Sequence, residues 1–170
     1  MKTKKILVPI EGSPHTSPAL GPALDIAKQN DSQLLALHVI PVTSATGWNY
    51  QEIREIIKER KSKPLLDTVE DWCKRRGVTV KKMIESGNPA EKILEVARRE
   101  GVDLIVMGAP NGRFNIFSPV RSVIEKACCP VLTIGTNSRR SPCKTWNISG
   151  AVGVKCSYCT YPGVCSGSPS

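Results

Sequence analysis

Through the first 137 residues, continuous apolar runs alternate with stretches whose apolar positions recur at helical spacing. Five runs read as strands: Lys5-Ile-Leu-Val-Pro-Ile10, Gln33-Leu-Leu-Ala-Leu-His-Val-Ile-Pro-Val42, Val78-Thr-Val-Lys-Lys-Met-Ile84, Asp103-Leu-Ile-Val-Met-Gly108 and Pro130-Val-Leu-Thr-Ile-Gly135. Runs of this kind suit a sheet covered on both faces. Between them, Leu20, Ala23, Leu24 and Ala27 mark one face of a helix that ends near Asn30. A longer helical pattern from Gln51 to Arg76 carries Ile53, Ile56, Ile57, Leu65, Leu66, Val69 and Trp72, and Pro64 divides or bends it. Ile93, Leu94, Val96 and Ala97 mark the next helix, and a short one spans Pro119 to Ala127.

Start and stop signals agree with this division. Ser13-Pro14 supplies a cap and a first-turn proline for the first helix, and Asn88-Pro89 with Glu91 does so for the helix after the third strand. Gly77 and Gly101 end helices. Strands and helices alternate with short connections, so right-handed crossovers produce a three-layer, doubly wound α/β domain with a five-stranded parallel sheet. That domain is complete by residue 137, and residues 138–170 form an irregular, cysteine-containing extension. In such a sheet the ligand crevice lies beyond the carboxyl ends of the strands. The fourth strand stops at Gly108, so the loop from Gly108 to Ser118 is expected to form one wall of it.

Composition narrows the function. The formal charge of +9 divides into +5 for residues 1–137 (20 basic, 15 acidic) and +4 for the rest, which holds no acidic residue. In the first part the basic residues are interleaved with acidic ones, as on solvated helix faces, so nucleic-acid binding is not the expected role. No apolar run is long enough to cross a bilayer, and the opening residues lead into a strand pattern without a signal-peptide core. The expectation is a cytoplasmic protein without membrane insertion.

No catalytic constellation stands out. His15 and His38 lack a nucleophile or metal partner by spacing, and nothing resembles a lysine-bearing phosphate loop. His38 is best read as an imidazole satisfied by backbone. In the extension, Cys143, Cys156, Cys159 and Cys165 supply four thiols with one C-x2-C pair. Four cysteinates can hold zinc tetrahedrally; a disulfide-bearing or irregular segment accounts for the same residues.

The combination Lys5-Ile-Leu-Val-Pro-Ile-Glu-Gly-Ser13, Leu37-His-Val39, Gly87-Asn-Pro89, Asp103-Leu-Ile-Val-Met-Gly108 and Cys129-Pro-Val-Leu-Thr-Ile134 resembles the universal stress protein family over residues 4–135. The resemblance implies a strand order of 3-2-1-4-5, a stress-response or regulatory role, and commonly a homodimer joined near the fifth strand. Members that bind ATP carry Gly-x2-Gly-x9-Gly-Ser/Thr after the fourth strand and an acidic residue after the first, and similarity to them would put adenine near Pro9, Glu11 and the backbone around Val39. Here Gly108 fits the first glycine, Asn111 occupies the second position, and Gly112 follows one residue late. The closing Gly-Ser pair aligns with Phe117-Ser118 or with Arg121-Ser122, and either alignment loses two of the three glycines. Glycines let backbone N–H groups approach phosphate. The resemblance therefore implies a non-catalytic protein whose ATP binding is weak or lost. The alternatives are an adenine-nucleotide-binding member, ATP or AMP with slow hydrolysis at most, and a scaffold with a zinc-holding tail.

Overall fold

The computed structural model describes residues 3–11, 17–42, 50–109, 119–135 and 146–149. The five apolar runs become β1 (Lys5–Pro9), β2 (Gln33–Pro41), β3 (Val80–Gly87), β4 (Leu104–Ala109) and β5 (Val131–Gly135). They pair in parallel in the order 3-2-1-4-5. A sixth strand, β6 (Trp146–Ser149), lies antiparallel on the outer edge of β5. It comes from the extension, where the composition suggests no regular element.

Strand parity sorts the core into two halves. Ile6, Val8, Leu34, Ala36 and Val106 face α1 (Leu20–Asn30) and α3 (Lys63–Arg76), meeting Leu20, Leu24, Leu66 and Val69. Leu7, Leu35, Leu37, Ile105 and Met107 turn the other way, toward α4 (Pro89–Glu100) and α5 (Pro119–Lys126), through Ile93, Val96, Val120 and Val123. Both faces of the sheet are thereby covered, which is why its strands read as unbroken apolar runs.

Three boundaries differ from the sequence reading. Val78 follows the Gly77 cap and closes the end of α3, its N–H donating to Cys73 O at 2.9 Å. β3 therefore starts at Val80, and it continues through Glu85-Ser86-Gly87 because an edge strand can carry polar residues while its ladder with β2 persists. The long helical pattern is α2 (Tyr50–Ile57), a π-helical turn Lys58–Ser62, and α3 with Pro64 in its first turn. A π turn adds a residue to the helical repeat. The apolar stripe of α2 thus falls out of line with that of α3, leaving Ile53 and Ile56 39% and 53% exposed. The first helix begins at Leu20 without a side-chain cap; Ser13 and Pro14 lie outside the described residues.

The turn from β3 into α4 follows its sequence signals. Gly87 has φ 140, a conformation closed to side-chain-bearing residues, and a Cβ there would meet Lys92. Asn88 then accepts from the N–H groups of Ala90 (3.0 Å) and Glu91 (3.3 Å) through Oδ1, closing the exposed start of α4.

At the opposite end of the sheet, Asp103 Oδ2 accepts from the N–H groups of Lys4 (2.8 Å) and Lys5 (2.9 Å), tying the entry of β4 to the entry of β1. These two backbone bonds hold its carboxyl below the usual carboxylate range. Because the folded pKa lies below the unfolded one, this stabilisation is present above about pH 4 and is lost as pH falls through the folded pKa. Asp103→Asn should lower the unfolding free energy at neutral pH by about 1–2 kcal/mol. It should also flatten the loss of stability below about pH 4. Urea unfolding of both proteins across that range measures the difference; parallel curves would contradict the assignment.

Candidate functional site

The chain leaves β1 toward β2, yet β4 stands on the other side of β1. The connections diverge there and open a crevice beyond the carboxyl ends of β1 and β4. The β1 wall is held by two bonds from one residue. Pro9 closes the ladder, and the Ile10 N–H then donates to Leu37 O at 2.8 Å. The Ile10 C=O accepts from His38 Nδ1, also at 2.8 Å, which puts the imidazole proton on Nδ1. His38 thus acts through the backbone, as its sequence context suggests. Glu11 follows directly, exposed at the crevice rim.

Parity defines what β2 offers. Leu37 turns its carbonyl toward β1, so Val39, two residues on, turns its N–H and C=O to the same side. Among the described residues β1 offers no ladder partner at that level, since its last paired residue, Pro9, stands opposite Leu37. The half-buried Val39 therefore presents one donor and one acceptor, side by side, to the crevice.

On the β4 side, Gly108 is half-buried and paired with Ile134 of β5. A Cβ at this position would lie 2.9 Å from Pro18 Cγ and 3.2 Å from Cδ. Glycine is thus required here by the close packing of the segment that leads into α1. Sequence spacing gives no hint of Pro18. The crossover from β4 to β5 brings the start of α5 to this end of the sheet, and the partial positive charge of a helix start favours anions. At the β3 rim, Arg54 Nε donates to Ser86 Oγ at 2.9 Å, fastening α2 to the end of that strand. This pairing also escapes a sequence reading, because either residue alone looks like ordinary surface.

Of the residues singled out from the sequence, Pro9, Glu11, Val39 and Gly108 come together around this crevice. Asn111, Gly112 and Ser118 lie outside the described residues, as do Cys143, Cys156, Cys159 and Cys165. Among the described residues, no three His, Cys, Asp or Glu side chains group as a metal site, and no helix is long and apolar enough to cross a membrane.

The strongly displaced pKa values lie elsewhere. Lys82 and Lys74 hold the Glu70 carboxyl down to about 2 on the outer face of α3. Burial pushes the thiols of Cys73 and Cys129 up to about 11, which keeps both protonated and unreactive near neutral pH. A polar cavity of about 400 Å³ opens at the opposite end of the sheet, lined by Lys4, Lys28, Asp31 and Thr79 among others. The ends of α1 and α3 point toward it, and helix C-termini disfavour anions. A phosphate-bearing ligand is better served by the crevice.

The chain matches the universal stress protein family over residues 2–135. It is 32% identical over 139 residues to a universal stress protein of Methanocaldococcus jannaschii, an alignment spanning 77% of this chain and 81% of that one. A universal stress protein family member from Arabidopsis thaliana, solved with AMP bound, superposes with a TM-score of 0.59 at 24% identity, covering 79% of this chain and 93% of that one. The universal stress protein of Archaeoglobus fulgidus in complex with dAMP gives 0.58 at 21% identity, covering 78% and 98%. The two superpositions establish a shared fold. With a family match that takes in all five parallel strands, the chain belongs to the universal stress protein family.

Proposed function

We propose that this protein is a non-catalytic regulator that binds an adenine nucleotide in the crevice at the carboxyl ends of β1, β2 and β4. The observation that carries the reading is the anchored end of β1: with Ile10 held by Leu37 O and His38 Nδ1, the Val39 N–H and C=O have no ladder partner on β1 among the described residues, beside Glu11. Adenine presents an amino donor and a ring-nitrogen acceptor next to one another. A strand residue with its N–H and C=O on one side matches that pair. The Glu11 carboxylate is suited to accept from ribose hydroxyls. The universal stress proteins solved with AMP and with dAMP support this choice of base.

The phosphate half is less well provided. Asn111 and Phe117 stand where glycines would allow close backbone approach, and the requirement for Gly108 is already met by Pro18. The two universal stress proteins solved with AMP and with dAMP hold monophosphate ligands. This favours adenine-nucleotide binding over its complete loss.

Titration calorimetry with adenosine, AMP and ATP, with and without magnesium, tests the reading. AMP should bind one per chain, with an affinity within about tenfold of that for ATP, a difference under about 1.4 kcal/mol. Guanosine monophosphate should bind more weakly than AMP, since its donor and acceptor edge is reversed. Absence of heat with any adenine ligand up to millimolar concentration would refute the proposal.

A further inference from the structure

The feature left unexplained by nucleotide binding is β6. We infer that this strand occupies, within one chain, an edge that is otherwise complementary to a second copy of the chain, and so keeps the protein monomeric.

β5 is buried from Val131 to Ile134, and β4 satisfies one side of it. The Ile105 N–H donates to Pro130 O at 3.0 Å, so by alternation Leu132 and Ile134 turn their backbone groups to β4. Val131, Thr133 and Gly135 turn theirs outward. β6 meets this outer row in antiparallel register, with Val131 opposite Ser149 and Thr133 opposite Asn147. These are the pairs that exchange hydrogen bonds.

Direction is the telling point. Every other pairing in the sheet is parallel, whereas a strand pairs with its own two-fold image only in antiparallel fashion. β6 therefore takes the orientation, and the backbone groups of β5, that a second β5 would use. The two arrangements exclude one another. An open, apolar edge of this kind invites edge-to-edge association, and a covering strand is one way to prevent it.

The tether decides between the competitors. Ten residues, 136–145, join β5 to β6. A tether of so few residues keeps the strand at an effective concentration of about millimolar, well above a second chain at micromolar concentration. With only four residues, however, the β6 ladder is shorter than the usual strand, so it can be displaced. Displacement would convert a monomer into a dimer without altering the crevice.

The test uses the full chain under reducing conditions. Asn147→Pro removes the N–H that faces Thr133 and breaks the β6 ladder. Wild type should sediment as a monomer at micromolar concentration, with slow amide exchange at Val131 and Thr133. The variant should sediment as a dimer, and on dilution its Thr133 amide should exchange at least about tenfold faster than in wild type. The Leu132 amide, directed at β4, should stay protected in both and reports that the domain is folded. If that protection is lost, Ser149→Pro at the strand's end repeats the test with less disturbance. A dimeric wild type, or a folded variant that stays monomeric over the same range, overturns the inference.

Discussion

Replacing Ile105 by alanine should lower the unfolding free energy by about 2–5 kcal/mol, the cost of removing a large side chain from a site that cannot collapse around the void. Ile105 is fully buried in the half-core beneath α4 and α5. Its strand lies between β1 and β5, with Ile105 opposite Leu7 on one side and Val131 on the other. Strands paired on both edges leave little freedom to close a cavity. For a chain of this length each kcal/mol moves the melting temperature by roughly 2–4 °C, so a fall on the order of 10 °C is expected. Ile56→Ala is the matched control. That side chain is 53% exposed on α2, and its loss should change stability by no more than about 0.5 kcal/mol. Thermal and urea unfolding of the two variants measure the contrast; similar losses would mean that α2 is packed as tightly as the sheet.

The second large effect is expected at Gly108. In Gly108→Ala the new methyl group would meet the Pro18 ring at 2.9 Å, and a pyrrolidine ring cannot rotate away as a flexible side chain can. Either the start of α1 or the end of β4 must shift, at a cost of about 1–3 kcal/mol. The cause can be isolated by a double-mutant cycle. In a Pro18→Ala background the ring is gone, and the same glycine substitution should cost less than half as much. If Gly108 were needed chiefly to admit phosphate, Gly108→Ala would instead leave stability intact and weaken ATP far more than adenosine. Denaturant midpoints in both backgrounds, paired with ligand titrations, separate the two explanations.

These two residues also mark what a sequence reading can reach. Ile105 is legible as core because β4 is buried on both faces, and an unbroken apolar run is the consequence. The same reasoning locates all five parallel strands, and the cap at Asn88 is legible because its partners lie two and three residues away. Their order, by contrast, came from family resemblance, since periodicity carries no information about which strands are neighbours. Gly108 is visible as a strand-ending glycine, yet its reason, Pro18, sits 90 positions earlier and meets it only in the folded chain. The π turn Lys58–Ser62 shifts the register of α2 without any local signature in composition. β6 left a faint trace: Trp146-Asn-Ile-Ser149 alternates apolar and polar residues, the pattern of a half-buried strand. Four residues within a Ser-, Gly- and Cys-rich segment are too few for that alternation to stand out. The crevice itself was legible from topology, whereas the fixing of its β1 wall depends on His38 reaching a carbonyl 28 positions away.

The central claim, an adenine nucleotide bound at the carboxyl ends of β1, β2 and β4, is tested most directly by following backbone amide resonances of the full chain during titration with AMP. The account predicts progressive shifts at Ile10, Glu11, Val39 and Gly108, with Gly77, Thr79 and Asp103 at the opposite end of the sheet unmoved. Shifts confined to that opposite end, or none up to millimolar AMP, would contradict it.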